Sequence, residues 1–141
     1  MNNDDDSKGH AMPERKPINP WSWSIDAGFD QAQLIEGHRR QLVCSGQDAV
    51  DADGAPQHPG DMAAQLELAL DNLEAVLAAA GMTLANIVRL NVYTTDVDEY
   101  LKHFPRLMDR FGSSRYATTL IGVAQLPAPQ LLVMLEATAV D

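Results

Sequence analysis

Between Gly60 and Thr95 the chain reads GDMAAQLELALDNLEAVLAAAGMTLANIVRLNVYTT, and within that one stretch the hydrophobic period changes from helical to two-residue. Leu66, Ala69, Leu70, Leu73, Val76, Leu77 and Ala80 recur at the spacing of one helix face, with Glu67, Asp71 and Glu74 on the other side. That is the pattern of a helix laid on a sheet. Asp61 stands where a capping acceptor and a negative charge favour a helix N-terminus, and Gly81 follows the last periodic residue, where a left-handed cap is least strained. In the IVRLNVYT that follows, Val88, Leu90 and Val92 alternate with Arg89, Asn91 and Tyr93. This predicts a strand with one face on the helix and a polar face that must meet water, a ligand or a partner chain.

Length and charge narrow what such a unit can do. With 141 residues and 45% hydrophobic positions, the chain is one domain able to bury roughly two-thirds of the surface that its unfolded form would expose. No apolar run approaches the roughly 18 residues a membrane helix needs, so no membrane partner is expected. Residues 1–16 hold Asp4, Asp5 and Asp6 without a hydrophobic period; they read as a solvated tail, which leaves residues 17–141 as the single folded domain. That N-terminus has neither an apolar core nor a small-residue cleavage pattern, so a cytoplasmic location is expected. The lone Cys44 excludes an internal disulfide and agrees with a reducing compartment. Flanked by Val43 and without an adjacent His or Lys, it reads as a small buried hydrophobe.

The net charge of −10, from 10 Lys and Arg against 20 Asp and Glu, lacks the phosphate-neutralising footprint of a nucleic-acid binder. His10, His38, His58 and His103 stand far apart with no second ligand at a metal-site spacing. Neither a metal nor a cofactor is expected.

Read in order, INPWSWSIDAGFDQAQLIEG places Trp21 and Trp23 as packing anchors and starts a strand near Gln31. RRQLVCSGQ is a second strand, with Gly37 and His38 as the expected hairpin turn. The run DAVDADGAPQHPG is dense in turn formers and leads into the long helix. After Thr95, DVDEYLKHFPRLMDRFG has helical character but contains Pro105, which removes a backbone donor and clashes with the preceding turn. A break is expected: a short turn over 97–102, then a helix from Pro105 to Phe111 closed by Gly112. TTLIGVAQ and LLVMLEATAV are apolar, β-branched strands separated by LPAPQ. The order is β-β-α-β-α-β-β, an α+β class.

This order, with CSGQ at 44–47, the helix at 61–81, IVRLNVYTTDVDEY at 87–100, GVAQLP at 122–127 and LEATAV at 135–140, resembles the Rid (YjgF-type) family of enamine and imine deaminases over about residues 25 to 140. The resemblance implies a chorismate-mutase-like protomer and a homotrimer whose sheets form a central barrel. It also implies a small-molecule site in each of three clefts between neighbouring chains. Arg89, Asn91 and Tyr93 would then face the trimer interior or a cleft, where partners and water satisfy them.

The family's reaction hydrolyses a reactive enamine or imine, such as 2-aminoacrylate, to a 2-oxo acid and ammonia. An arginine holds the substrate carboxylate with paired hydrogen bonds, and a carboxylate positions or activates water. In the family the arginine opens the penultimate strand, five residues before the valine of a VA-x-LP motif; here VAQLP begins at Val123, and Thr118 stands at the arginine's place. The family's carboxylate lies two residues before a second glutamate in an E-x-E-A pattern; here Glu136 is that second glutamate and Met134 replaces the first. A thioether cannot serve as a general base. Phe29 stands where the family usually has a tyrosine.

By the same resemblance, Ser45 and Gly46 line the cleft and hold a carboxylate or carbonyl oxygen. Thr118, Leu120, Gly122, Met134 and Glu136, sharing strand faces at period two, are expected to form the remaining wall. Arg115, three residues before Thr118, is the candidate replacement cation, and Glu136 is the only acid left on the last strand. Three readings stay open: a Rid-type enzyme retuned to an apolar or uncharged substrate, a catalytically silent binding protein of the same fold, and a ribonuclease, a label attached to this family that the charge of −10 argues against.

Overall fold

The computed structural model describes residues 14–141. Residues 1–13, most of the expected tail, lie outside the described residues. Glu14, Arg15 and Lys16 do not belong to a tail: they open strand β1 (Glu14–Ile18), which pairs antiparallel with β2 (Ala32–Glu36). Arg15 explains why this segment is held. Its guanidinium donates to the carbonyls of Ala85 (2.5 Å), Ile87 (2.8 Å) and Arg115 (2.7 Å) and to the Gln33 side chain, charge-assisted bonds that offset the cost of ordering the strand.

A short helix α1 (Trp23–Asp26) joins β1 to β2. The packing expected of both tryptophans is realised only in part. Trp21 and Trp23 are 62% and 60% exposed, and Trp23 meets Phe29 edge-to-face with centroids 5.6 Å apart.

The main sheet runs β3 (Gln41–Val43), β7 (Val133–Val140), β5 (Ile87–Thr94), β6 (Ala117–Gly122), with β4 (Gln47–Asp48) also on β7. The expected hairpin across Gly37 and His38 is therefore not formed. β2 pairs with β1, and β3 pairs with β7 through Gln41 opposite Val140. The C-terminal residue fixes that choice: the Arg39 and Arg40 amides donate to the Asp141 carbonyl, and the Arg40 guanidinium forms an ion pair with the Asp141 carboxylate. β5 and β6 are parallel; β5–β7 and β3–β7 are antiparallel.

Helix α2 (Met62–Ala79) follows the expected pattern. The Asp61 side chain accepts from the Ala64 amide at 3.0 Å, and Gly81 adopts φ +73°. Leu66, Ala69, Leu70, Leu73 and Leu77 are fully buried against the sheet residues Leu90, Val92, Leu135 and Ala137. A short 3₁₀ turn, Leu84–Asn86, delivers the chain into β5.

Helix α3 (Val97–Phe111) overturns the predicted break, running continuously through Pro105. Pro105 lies on the exposed face, so the Leu101 carbonyl that it leaves without a helical partner belongs to a residue open to water. The opposite face buries Tyr100, Leu107 and Phe111 in the core. Arg110 bonds Glu67, Asp71 and Glu74 of α2. This tertiary packing outweighs the local proline penalty. Among the described residues, no helix is long and apolar enough to cross a membrane.

Candidate functional site

Strand β5 divides the candidate residues into two groups. Residues paired side by side in a sheet share a face. Asn91 pairs with Glu136 and Tyr93 with Met134, whereas Leu90, Val92 and Thr94 pair with Thr118, Leu120 and Gly122. The single wall expected from Thr118, Leu120, Gly122, Met134 and Glu136 is therefore two walls on opposite faces of one sheet. Period two gives the alternation within each strand correctly, but the phase between strands depends on register, and register is set by pairing.

On the open face, Glu136 is the centre of a polar chain. Its Oε1 accepts from Asn91 Nδ2 at 3.0 Å and from the Tyr93 hydroxyl at 2.9 Å, and Arg89 Nε donates to Asn91 Oδ1 at 3.3 Å. The Asn91 and Tyr93 bonds hold the Glu136 carboxyl below the usual carboxylate range, and the same carboxylate pushes the Tyr93 phenol up. Met134 lies two residues along β7 on this face, with its thioether over Gly46: a Cβ built on Gly46 would stand 2.3 Å from Met134 Sδ. Ser45, next to Gly46, is exposed, and its carbonyl accepts from Gln47 Nε2 at 3.2 Å.

Behind the sheet, a cavity of about 180 Å³ is walled by Thr118 and Leu120 of β6, Val92 of β5, and Ala27 and Phe29 ahead of β2. Tyr100, Leu101 and Phe104 close it from α3. Its wall is nearly all hydrocarbon. Thr118 Oγ1 donates its proton to the Leu90 carbonyl at 2.7 Å, which leaves only lone pairs to offer a ligand.

Gly122 sits farther along the same strand, where a Cβ would come within 3.0 Å of Val97 Cγ2; it lets the start of α3 approach. The structure does not bring Arg115 into the cavity. Its Nη1 donates to the Ile25 carbonyl at 2.8 Å, and its own carbonyl accepts from Arg15 and Gln33. Cys44 is 5% exposed and burial pushes its thiol up, so it has no thiolate character.

Two of the larger hollows have more polar walls. One of about 450 Å³ lies over the Pro127 to Pro129 loop. The other, of about 540 Å³, borders Arg15, Asn19, Asp30 and Gln33, whose polar groups already bond one another or backbone. Among the described residues, no group of three or more His, Cys, Asp or Glu is placed to hold a metal ion.

The α3 wall was missed in the sequence because Pro105 divided it, although Tyr100, Phe104, Leu107 and Phe111 recur at helical spacing. Asn91 and Tyr93 were recognised as a polar face, but their common partner, Glu136, required the β5–β7 register.

A family profile described as Endoribonuclease L-PSP matches residues 23–141. The chain belongs to this family, and within it to the Rid (YjgF) type. A RutC family protein of Pyrococcus horikoshii is 31% identical over 124 residues, covering 88% of this chain and 89% of the relative. The 2-iminobutanoate/2-iminopropanoate deaminase of Escherichia coli is 26% identical over 126 residues, covering 87% and 88%. Among solved structures, the Rid-family protein YyfB of Yersinia pestis superposes with a TM-score of 0.80 at 33% identity, covering 90% of this chain and 98% of that one. The α+β protomer is thus the YjgF-like fold.

Proposed function

We propose that this Rid-type chain hydrolyses a small, uncharged imine, enamine or related carbonyl compound in a cleft between two copies of itself, within a homotrimer. The observation that carries this reading is the acceptor-only Thr118 hydroxyl in an otherwise hydrocarbon cavity. Thr118 accepts from a ligand N–H and offers nothing to a substrate carboxylate. The deaminase name of the Escherichia coli relative supports the reaction class.

The two-faced layout supports the assembly. Within one chain, the Thr118 cavity and the Met134–Glu136 face are separated by the sheet, so a single cleft holding both needs one group from each of two chains. The open face also carries apolar Val43, 73% exposed, and Ile121, 40% exposed, beside the Asn91–Glu136–Tyr93 chain. A monomer would leave these to water.

In the reaction, Thr118 orients the imine nitrogen of the bound compound, and Glu136 of the neighbouring copy orients water toward the imine carbon. Water adds to the C=N bond, its oxygen to carbon and one proton to nitrogen, to give a carbinolamine; the hydroxyl proton then passes to nitrogen as the C–N bond breaks and the C=O bond forms, releasing ammonia and the carbonyl compound. Because two donors stabilise the Glu136 carboxylate, it is a weak base: it positions water through its remaining lone pairs and removes little of the proton's cost.

The test is ammonia release from an imine made in situ from propylamine by a flavin amine oxidase, run beside 2-aminoacrylate. Acceleration of the first and background rates for the second are expected. Faster turnover of 2-aminoacrylate refutes the reading. Background rates for both favour the alternative, a catalytically silent binding protein, to which the prior engagement of Glu136 Oε1 by two donors also points. Light scattering with size exclusion tests the trimer, and a monomer mass at micromolar concentration refutes it.

A further inference from the structure

We infer that the cavity beside Thr118 selects a compound carrying a phenyl-sized or branched hydrocarbon group next to a neutral N–H, and that Leu120 and Ala27 set the size limit. This rests on reading the cavity as the ligand site, and it adds the substrate class. Three observations carry it.

The first is volume. The cavity holds about 180 Å³, and apolar cavities of roughly 150 Å³ bind benzene. The three-carbon 2-aminoacrylate, one of whose carbons is a charged carboxylate, would leave most of this space empty, whereas a ring fills it and removes its apolar surface from water.

The second is the wall. Phe29, Tyr100 and Phe104 surround the space; Trp23 supports Phe29 edge-to-face at 5.6 Å, and Tyr100 and Phe104 are tilted with centroids 6.4 Å apart. Such arrangements favour an aromatic guest whose edge can meet a ring face.

The third is polarity. The Thr118 hydroxyl proton is committed to Leu90, so the wall's group at this point accepts from N–H and would repel a carboxylate. Leu120 is 37% exposed on the outer strand of the sheet, and Ala27 is exposed in the loop before Phe29. Enlarging either fills the cavity from its rim without disturbing the core.

Benzamide is a stable probe, with a ring and a neutral NH₂. Calorimetry on the full chain should give binding about tenfold or more tighter than acetamide, from the ring's burial, and no binding of benzoate. Nuclear Overhauser contacts should link the ring protons to the methyls of Thr118 and Val92. Leu120→Phe and Ala27→Leu should each weaken benzamide about tenfold or more and leave acetamide unchanged. Equal affinity for benzamide and acetamide, binding of benzoate as tight as benzamide, or unaltered binding in both variants would overturn the inference. The hydrolytic reading fails separately: benzamide binding with no ammonia released from any imine removes the chemistry and leaves the specificity, and turnover of the propylamine imine without benzamide binding does the reverse.

Discussion

Gly46→Ala is the substitution whose outcome the structure constrains most closely. Gly46 has no left-handed backbone conformation to lose, so alanine meets only a steric problem. Its Cβ would stand 2.3 Å from Met134 Sδ, 2.8 Å from Cγ and 3.1 Å from Cε. Three atoms of one side chain must move. Met134 is half-buried and flexible, so the cost lies in the lower part of the overpacking range, about 1–2 kcal/mol. Met134→Ala removes all three of those atoms. In that background Gly46→Ala should cost under about 0.5 kcal/mol, giving a coupling of about 1 kcal/mol between the two sites. The assay is urea unfolding of the four proteins at one fixed protein concentration, because assembly would make stability concentration-dependent. An equal cost of Gly46→Ala in both backgrounds would refute the placement of Met134 over Gly46, and with it the claim that a thioether fills the space beside the Ser45–Gly46 segment.

Other perturbations have definite expected outcomes. Leu73→Ala, at a fully buried position in the centre of the α2 stripe, should cost about 2–5 kcal/mol in denaturant unfolding. Asp61→Ala removes the cap on the Ala64 amide and should cost about 1 kcal/mol by the same assay, with Asp61→Asn nearly neutral. Glu136, whose carboxyl is depressed in the folded chain, contributes stability that is present above its unfolded value of about 4.3 and is lost as pH falls through the lower folded value. Glu136→Gln should therefore flatten that acidic part of the stability curve, measured by thermal unfolding across pH, by lowering stability at neutral pH while leaving the lowest pH little changed.

Helix α2 and strand β5 were legible because each has a pure period, a start signal and a stop signal within a few residues: Asp61, Gly81, then the Val88, Leu90, Val92 alternation. What the sequence could not supply was pairing. β3 has three residues and no local signal that its partner is the C-terminal strand, since the Arg40–Asp141 pair joins positions far apart in the chain. The same gap placed Thr118 and Met134 on one wall when they belong to two. Pro105 misled for a different reason: its penalty is local, and the α3 contacts that outweigh it come from Arg110 with α2 and from Phe111 packed against Tyr116, the rings tilted with centroids 4.4 Å apart.

The absence of an arginine at position 118 is tied to the hydrocarbon wall around it. Besides position 118 itself, only Tyr100 among the lining side chains carries an oxygen, so a guanidinium here would face mainly the hydrocarbon of Phe29, Val92, Phe104 and Leu120. Burying such a charge without a partner costs several kcal/mol, and only an anionic ligand would offset it. Position 118 is half-buried at the sheet's outer strand, so the longer side chain can bend its head toward water and recover part of that cost. Thr118→Arg should therefore destabilise the protein by about 1–3 kcal/mol, partly through loss of the bond to the Leu90 carbonyl. The diagnostic is the response to ligand: 2-oxobutyrate should raise the melting temperature of Thr118→Arg and not that of the wild type, because only the variant has a cation to bind it. A Thr118→Arg protein as stable as the parent and indifferent to 2-oxobutyrate would mean that position 118 faces solvent instead of the cavity. In that case Thr118 and the apolar wall could no longer be treated as one specificity device.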